Sequence, residues 1–333
     1  MNKPIAIFGP YPPPLGGIST HIQRMEKYLQ DENIEYIIYD HYSTKKENII
    51  PTHKNPFRYF RFLFNKKFRL FHFHHAFFFE YIFYYFFGLF NKTPFIISIH
   101  GESFFKYSKL QKKIARFCLR RTNYSKLISV SKKFNDYLNT NGIQAMFLPA
   151  YVPPNEINFQ KINRTDNRKI FVFSVWKMTQ KLAEEVYNTP LVFDFLSRNK
   201  DEYRMLFLIG SEQHSNKDYL QTQLKKYNIT DDVLILYNKN LIDYLQNGNF
   251  LLRANSIDGY GVSLQEALDI GVPAIASNVC ERPKGTLLFK DNDIDDLTEK
   301  INNVEILKER LFSEREDLSY HLELLKIYKE IKS

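Results

Sequence analysis

Residues 249–289 read NFLLRANSIDGYGVSLQEALDIGVPAIASNVCERPKGTLLF, and the rest of the chain is arranged around them. Phe250 to Leu252 is a short apolar run expected to form a strand. Asp258-Gly259-Tyr260-Gly261 is a turn with two glycines, both free to take positive φ. Ser263 is expected to cap a helix running to about Gly271, with Glu266 three positions on, the spacing of a capping box. Gly271 ends that helix, and Pro273-Ala274-Ile275-Ala276 opens the next strand. The order strand, glycine turn, helix, strand sets backbone N–H groups and a positive helix end beside one loop, which suits a phosphate. Asp258 and Glu266 flank the helix start. They repel phosphate, but they are placed to accept hydrogen bonds from sugar hydroxyls attached to one. The same pair would also suit a capping box before an ordinary helix–strand connection.

With its glycines and proline in place, the stretch resembles the signature of the family 4 retaining glycosyltransferases, which have the GT-B architecture. That signature is two acids eight positions apart, in a glycine turn and the following helix, then a Gly-x-Pro-x-Ile run. Here it reads Asp258, Glu266, Gly271, Pro273, Ile275. The first acid is usually Glu in that family; Asp258 departs from it and keeps the carboxylate. Glu281-Arg282-Pro283-Lys284-Gly285, and the run from Pro149 to Pro154, resemble the subgroup that builds bacterial capsule, exopolysaccharide and O-antigen lipopolysaccharide. The resemblance implies an α/β fold: GT-B, two Rossmann-like domains with parallel sheets facing across a cleft. It implies retaining, metal-independent hexosyl transfer from a nucleotide sugar donor, expected to be a UDP-sugar, to a lipid-linked saccharide acceptor, with no cofactor.

Composition sets the bounds. A chain of 333 residues has room for two domains with sizeable cores. Hydrophobic residues at 44% and charged residues at 25% are ordinary for a globular protein. Cys118 and Cys280 give no disulfide framework and fit a reducing compartment. The start, MNKPIAIFGP, has too short an apolar run for a signal peptide, so a cytoplasmic protein is expected. The net charge of +9 is uneven. Residues 54–133 hold seventeen lysines and arginines against two acids, Glu80 and Glu102, an excess of fifteen that leaves −6 for the remainder. Such asymmetry calls for a negatively charged partner.

Along the chain, apolar runs alternate with helical patterns, which implies parallel sheets in both halves. Ile5 to Phe8 reads as a buried strand, followed by GPYPPPLGG and a helix with Ile18, Ile22, Met25 and Leu29 at helical spacing. The pair Gly16-Gly17 lets a ligand approach the backbone, though neither a dinucleotide fingerprint nor a P-loop is present. Residues 56–69 interleave aromatic and basic side chains, 70–74 alternate as a strand, and 76–90 form an aromatic helix, read as core or as an interfacial face. The 70–91 stretch carries Glu80 and three histidines, so a transmembrane span is not expected. His72 and His74 share a strand face and are read as packing residues, since nothing completes a ligand set. Phe104 to Arg121 is expected as one helix, with Leu110, Ile114 and Phe117 on one face and Lys109, Lys112, Lys113, Arg116 and Arg120 on another. A basic amphipathic helix beside aromatics points to an anionic membrane surface at the inner face of the cell membrane. Nucleic acid is not expected, because no nucleic-acid-binding signature accompanies the charge.

The resemblance also implies roles. Glu266 would hold the ribose and Asp258 the transferred sugar; His100, at the end of the strand 95–99, would contact the sugar or its phosphate. Helix N–H groups near Val262, Ser263 and Leu264, after the donor-side turn Gly259-Tyr260-Gly261, would stabilise the diphosphate. The family's Gly-Arg before a clamping lysine is missing from SVWKMTQKL, which leaves Lys177, Lys181, Arg253 and Arg282 as cations. Asp291-Asn292-Asp293 spells a metal-type acid pair but precedes a helix, where acids cap; no metal site is expected. Domains are expected at 1–154 and 169–303, with a linker at 155–168 and a last helix from 304 returning to the first domain. A nucleotide-sugar epimerase of the same architecture and a degenerate scaffold protein are the alternatives.

Overall fold

The structure, a computed structural model, describes residues 3–13, 16–42, 46–52, 60–75, 77–100, 103–154, 156–164, 166–314 and 319–331. The chain forms two compact units. One is Met1–Pro13, Gly17–Asn155 and Ser319–Ser333; the other is Glu156–Leu318 with Pro14–Gly16.

The first unit holds β1 (Ile5–Gly9), α1 (Gly17–Asp31), β2 (Tyr36–Asp40), β3 (Ile49–Pro51), β4 (Leu70–His75), α2 (Phe79–Phe90), β5 (Phe95–Ile99), α3 (Lys109–Arg121), β6 (Lys126–Ser129), α4 (Lys132–Thr140) and β7 (Met146–Phe147). Its strands form one sheet in the order β3-β2-β1-β4-β5-β6-β7, every pair parallel. The second unit holds β8 (Lys169–Val175), α5 (Gln180–Glu185), α6 (Thr189–Arg198), β9 (Tyr203–Ile209), α7 (Lys217–Lys226), β10 (Val233–Tyr237), β11 (Phe250–Arg253), α8 (Val262–Asp269), β12 (Ala274–Ser277), β13 (Leu287–Phe289) and α9 (Ile294–Ser313). Its sheet runs β10-β9-β8-β11-β12-β13, again all parallel. The last helix, α10 (Tyr320–Glu330), belongs to the first unit.

Parallel sheets are buried on both faces, so their strands are apolar throughout. β1 shows how this works. Ile5 and Ile7 face a core shared with Ile22, Met25 and Leu29 of α1 and Leu324, Leu325 and Tyr328 of α10. Ala6 and Phe8 face the opposite core, with Phe71, Phe73, Phe87 and Phe95. In the second unit Phe171 and Phe173 pack under α6, α7 and α9, while Ile170 and Val172 pack with Leu264, Ala267 and Leu268 of α8. Each strand alternates between two helix layers, as its period of two requires.

Several boundaries differ from expectation. The helix expected over 104–121 is a short 3₁₀ turn, Ser103–Lys106, then α3. The break falls at Ser108, whose Oγ accepts from Gln111 N at 3.2 Å while Gln111 Oε1 accepts from Ser108 N at 2.9 Å. That capping box fixes the helix start. The single helix expected from 304 is two helices, α9 and α10. The polar run after Pro154 is not a free tether: Asn158, Gln160 and Ile162 donate backbone N–H bonds to Asp243 and Asn247 of the second unit. Residues 56–59, and Gly101 and Glu102 beside His100, lie outside the described residues.

His72 explains how α10 is held. Its Nδ1 lies 2.5 Å from Tyr328 Oη and its Nε2 2.8 Å from Ser98 Oγ, in the middle of the sheet. Arg69 adds a bond from Nη1 to the Tyr328 carbonyl at 2.8 Å. Tyr328→Phe removes the hydroxyl partner of a buried imidazole, so it is expected to cost about 1–3 kcal/mol of stability, read by urea unfolding. An unchanged midpoint would show that the bond holds nothing.

Candidate functional site

In open parallel sheets, ligands bind beyond the carboxyl ends of the strands. In the second unit the ends of β8, β11 and β12 carry most of the expected residues. β11 finishes at Arg253, the chain turns through Asp258 and Gly259, and α8 begins at Val262. Gly261 occupies the N-cap with φ +78°, in the left-handed region. A Cβ there would meet Leu264 Cδ1 at 2.8 Å and Arg282 Nη1 at 3.2 Å, so this turn requires glycine on both counts. Gly259 differs from expectation: a side chain there would meet open space, and its value lies in its carbonyl, which accepts from Arg282 Nη1 at 3.1 Å. The expected capping box is also corrected. Gly261, not Ser263, is the cap, and as a glycine it makes no side-chain cap bond. Ser263 Oγ instead accepts from Arg253 Nη1 at 3.3 Å. Of the N–H groups at Val262 to Leu264, that of Leu264 is taken by the Gly261 carbonyl at 2.8 Å. Glu266 is buried within α8, and Tyr260 reaches Gln265 Oε1 at 3.5 Å.

The centre of this cluster is a buried carboxylate between two guanidinium groups. Asp258 is gripped by Arg253 through Nε at 2.5 Å and Nη2 at 2.6 Å, and by Arg282 Nη1 at 2.5 Å. Burial pushes the Asp258 carboxyl up, but the two arginines outweigh it and hold it below the ordinary range. Arg282 is itself tied down, donating to the Ser277 carbonyl at 3.0 Å and Ser277 Oγ at 3.1 Å. The three charges sum to +1, fixed beside the start of α8. Arg253 and Arg282 are therefore not loose cations, and Asp258 is not a free acceptor.

The loop after β8 lies next to this cluster. Tyr187 lies near the charges of Arg253 and Asp258, and burial raises its pKa. The Lys177 ammonium sits over the Trp176 ring, 4.5 Å from its centroid. Lys181 is exposed in the first turn of α5. Asn255 Oδ1, just before the turn, is buried with no hydrogen-bond partner among the described residues. Sequence reasoning missed Tyr187 and Asn255. Asn255 lay inside the quoted stretch, but nothing marks an unsatisfied acceptor before the fold is known. Asp291 and Asp293 are occupied otherwise: Asp293 caps α9 through Asp296 N at 3.1 Å, and Asp291 Oδ1 accepts from Ser256 Oγ at 3.0 Å.

Gly17 opens α1 in the first unit, and Gly16, grouped with the second unit, immediately precedes it in sequence. His100 follows β5, and its Nε2 lies 2.8 Å from His74 Nδ1. His21 of α1 stacks edge-on to both rings and bonds the Ala150 carbonyl through Nδ1 at 2.9 Å. His21, Ser98, His100 and Ala150 line a small cavity. Sequence reasoning placed His72 and His74 in packing roles but did not see that His74 supports His100. Burial holds His21, His72 and His74 neutral, pushing His21 down to about 4 and His72 down to about 3.

Two parallel-sheet units with a glycine turn and acidic helix after the fourth strand of the second define the GT-B class of glycosyltransferase. The chain belongs to the glycosyl transferases group 1 family, whose model matches residues 155–321. Among solved structures it is similar to a glycosyltransferase from Rickettsia africae, at 15% identity, TM-score 0.73 and 99% coverage of both chains. It is similar to the lipopolysaccharide outer core galactosyltransferase WaaB, at 14% identity, TM-score 0.62 and coverage of 98% and 99%. It is also similar to HepE of Anabaena in complex with UDP and glucose, at 11% identity, TM-score 0.67 and coverage of 98% and 99%. Comparison with curated protein sequences finds no match.

Two outcomes follow from this geometry. Asp258→Asn leaves two buried guanidinium groups facing each other and is expected to cost about 3–5 kcal/mol. Adding Arg282→Met should recover part of that loss, since the pair is coupled; equal stability of the single and double variants in chemical denaturation would refute the clamp. The histidines give a pH dependence of known sign. Their folded pKa values lie below the ordinary 6.5, so the unfolded chain takes up protons that the folded chain refuses. Stability of the first unit is full above about pH 7 and is lost as pH falls, on the order of 2 kcal/mol per ring at pH 5. A flat melting temperature from pH 7.5 to 5 would contradict it.

Proposed function

We propose that the chain is a retaining, metal-independent glycosyltransferase that moves a sugar from a UDP-sugar to a lipid-linked saccharide in bacterial surface polysaccharide synthesis, working at the inner face of the cell membrane. The observation that carries this reading is the fixed positive cluster of Arg253 and Arg282 at the start of α8, with buried Glu266 inside the same helix. The surplus positive charge of the cluster stabilises the diphosphate leaving group as it departs, with Arg253 as the more exposed of the two guanidinium groups. Lys177, in the loop after β8, and Lys181, in the first turn of α5, extend the cationic edge. Glu266 accepts from ribose hydroxyls. Asp258 acts through its neighbours: the Arg253 and Arg282 bonds occupy its carboxylate, so it positions both guanidinium groups for the donor, in place of the direct sugar contact that the family signature implies.

No nucleophile-plus-acid pair is needed for same-face attack, in which the departing phosphate takes the acceptor proton. His100, supported by His74, would meet the transferred sugar. The UDP bound to HepE supports the choice of nucleotide, and the lipopolysaccharide substrate of WaaB supports that of acceptor. Asp293 caps α9 and Asp291 accepts from Ser256, and these existing engagements of both acids support metal independence.

The test is transfer from a panel of UDP-sugars to undecaprenyl-linked acceptors, with the anomeric configuration of the product read by NMR. Transfer with retention is expected, and it should survive dialysis against a chelator; loss that manganese restores would remove metal independence. Glu266→Gln should weaken UDP-sugar binding about tenfold or more, since charge-assisted bonds contribute about 1.5–3 kcal/mol. Its melting temperature should stay near that of the parent. Unchanged donor affinity would take Glu266 out of the site.

A further inference from the structure

The first unit exposes a surface that its core does not explain. α2 buries Tyr81, Phe83, Tyr84 and Phe87 against the sheet. Its other side carries Phe79 at 74% exposure, Leu89 at 56%, Phe90 at 52%, and Phe86. These positions fall within one face of a helix, because seven residues make nearly two turns. α3 packs beside α2 and does the same. It turns Ala115, Cys118 and Leu119 inward and leaves Leu110 at 67% and Phe117 at 53% exposed. The apolar stripe of Leu110 and Phe117 thus faces out, although its helix has an inner face to fill. The two helices share one patch. Phe117 meets Tyr85 at 5.8 Å between ring centroids, Phe86 stacks over Phe90, and Phe90 meets Phe64 at 5.7 Å. Phe64 is itself 71% exposed.

The rim of the patch is basic. α3 reads KLQKKIARFCLRR, with six bases and no acid. Lys112 and Arg116 turn back to the Phe105 carbonyl and Asn141 Oδ1. Lys109, Lys113 and Arg121 stay exposed beside Leu110 and Phe117, joined by Lys66, Lys67 and Lys92 around Phe64 and Phe90. A large aromatic patch within a cationic rim matches the headgroup layer of an anionic bilayer: rings seat at the acyl boundary while ammonium groups meet phosphate. A second copy of the chain fits poorly, because a two-fold contact would bring like-charged rims together.

We propose that the outer face of α2 and α3, with Phe64, is a bilayer-docking surface selective for anionic lipid. It names the contact by which the enzyme proposed above would reach a lipid-linked acceptor, and in that sense rests on that reading. Its test makes no use of transfer, so the two can fail separately.

The experiment is co-sedimentation of the full chain with vesicles of phosphatidylcholine alone and with 30% phosphatidylglycerol, at low and high salt, together with sedimentation velocity without lipid. Expected is binding to the anionic vesicles at least tenfold stronger than to neutral ones, only partly released by salt, since screening weakens the charges but not the seated rings. Phe86→Ser/Phe90→Ser/Phe117→Ser should abolish the salt-resistant part, and Lys109→Glu/Lys113→Glu/Arg121→Glu the preference for anionic lipid. All six side chains lie at the surface, and far-UV circular dichroism checks that each variant folds. Absence of vesicle binding by the parent overturns the proposal, as does equal binding by parent and serine variant. A parent dimer that the serine variant converts to monomer overturns it too, because the patch is then a self-interface. Vesicle binding in a chain that binds no UDP-sugar would leave this surface standing and remove the enzymatic reading.

Discussion

An all-parallel sheet must be covered on both faces, and this chain meets that demand twice with different materials. In the second unit the covering helices follow one another in sequence. In the first, one face is covered by α1 and then by α10, which returns from the far end of the chain. The buried contact between Tyr328 and His72 marks where that return is anchored. The opposite face is covered by aromatic side chains so large and so many that α2 carries them on both of its sides. Covering the sheet thus determines the position of the candidate site, at the open strand ends, and of the aromatic outer surface.

The site repeats the same economy of partners at smaller scale. A buried carboxylate is unfavourable without counter-charges, and two buried arginines would repel without a carboxylate. Asp258, Arg253 and Arg282 satisfy one another, and their surplus of one positive charge is held rigidly at the helix start. Mobile lysines could supply the same charge but would lose side-chain freedom when an anion arrived. A fixed cluster has already met that cost in folding.

Much of the fold was legible because buried parallel strands leave unbroken apolar runs; Ile5 to Phe8, Phe95 to Ile99 and Phe250 to Leu252 are each found where the runs lie. The short strands β3 and β13 were not legible, since three residues carry no period and only their neighbours make them strands. The long pattern after residue 304 hid a break between two helices that serve different units. At the site, the spacing of Asp258 and Glu266 was plain, while the charge partners of Asp258 were not: they stand five positions before it and twenty-four after, and only the fold joins them. The glycines of the turn looked equivalent, yet only the crowding around Gly261 gives it a steric duty. The apolar stripe of α3 was visible, but amphipathic spacing names a stripe without saying which way it points.

The discontinuity of the first unit bears on how the chain is made. The ribosome delivers β1 to β7 long before α10, and the second unit, apart from Pro14–Gly16, is delivered between them as Glu156–Leu318. At ordinary translation speeds the gap is roughly 8–30 s. During that time the sheet face of Ile5, Leu70 and Ile96 lacks Leu324, Leu325 and Tyr328, and the His72 imidazole lacks its phenol. The nascent protein therefore passes through a stage in which the second unit is complete while one sheet face of the first still waits for its covering helix. An apolar face so exposed for seconds is the kind of surface that chaperones bind.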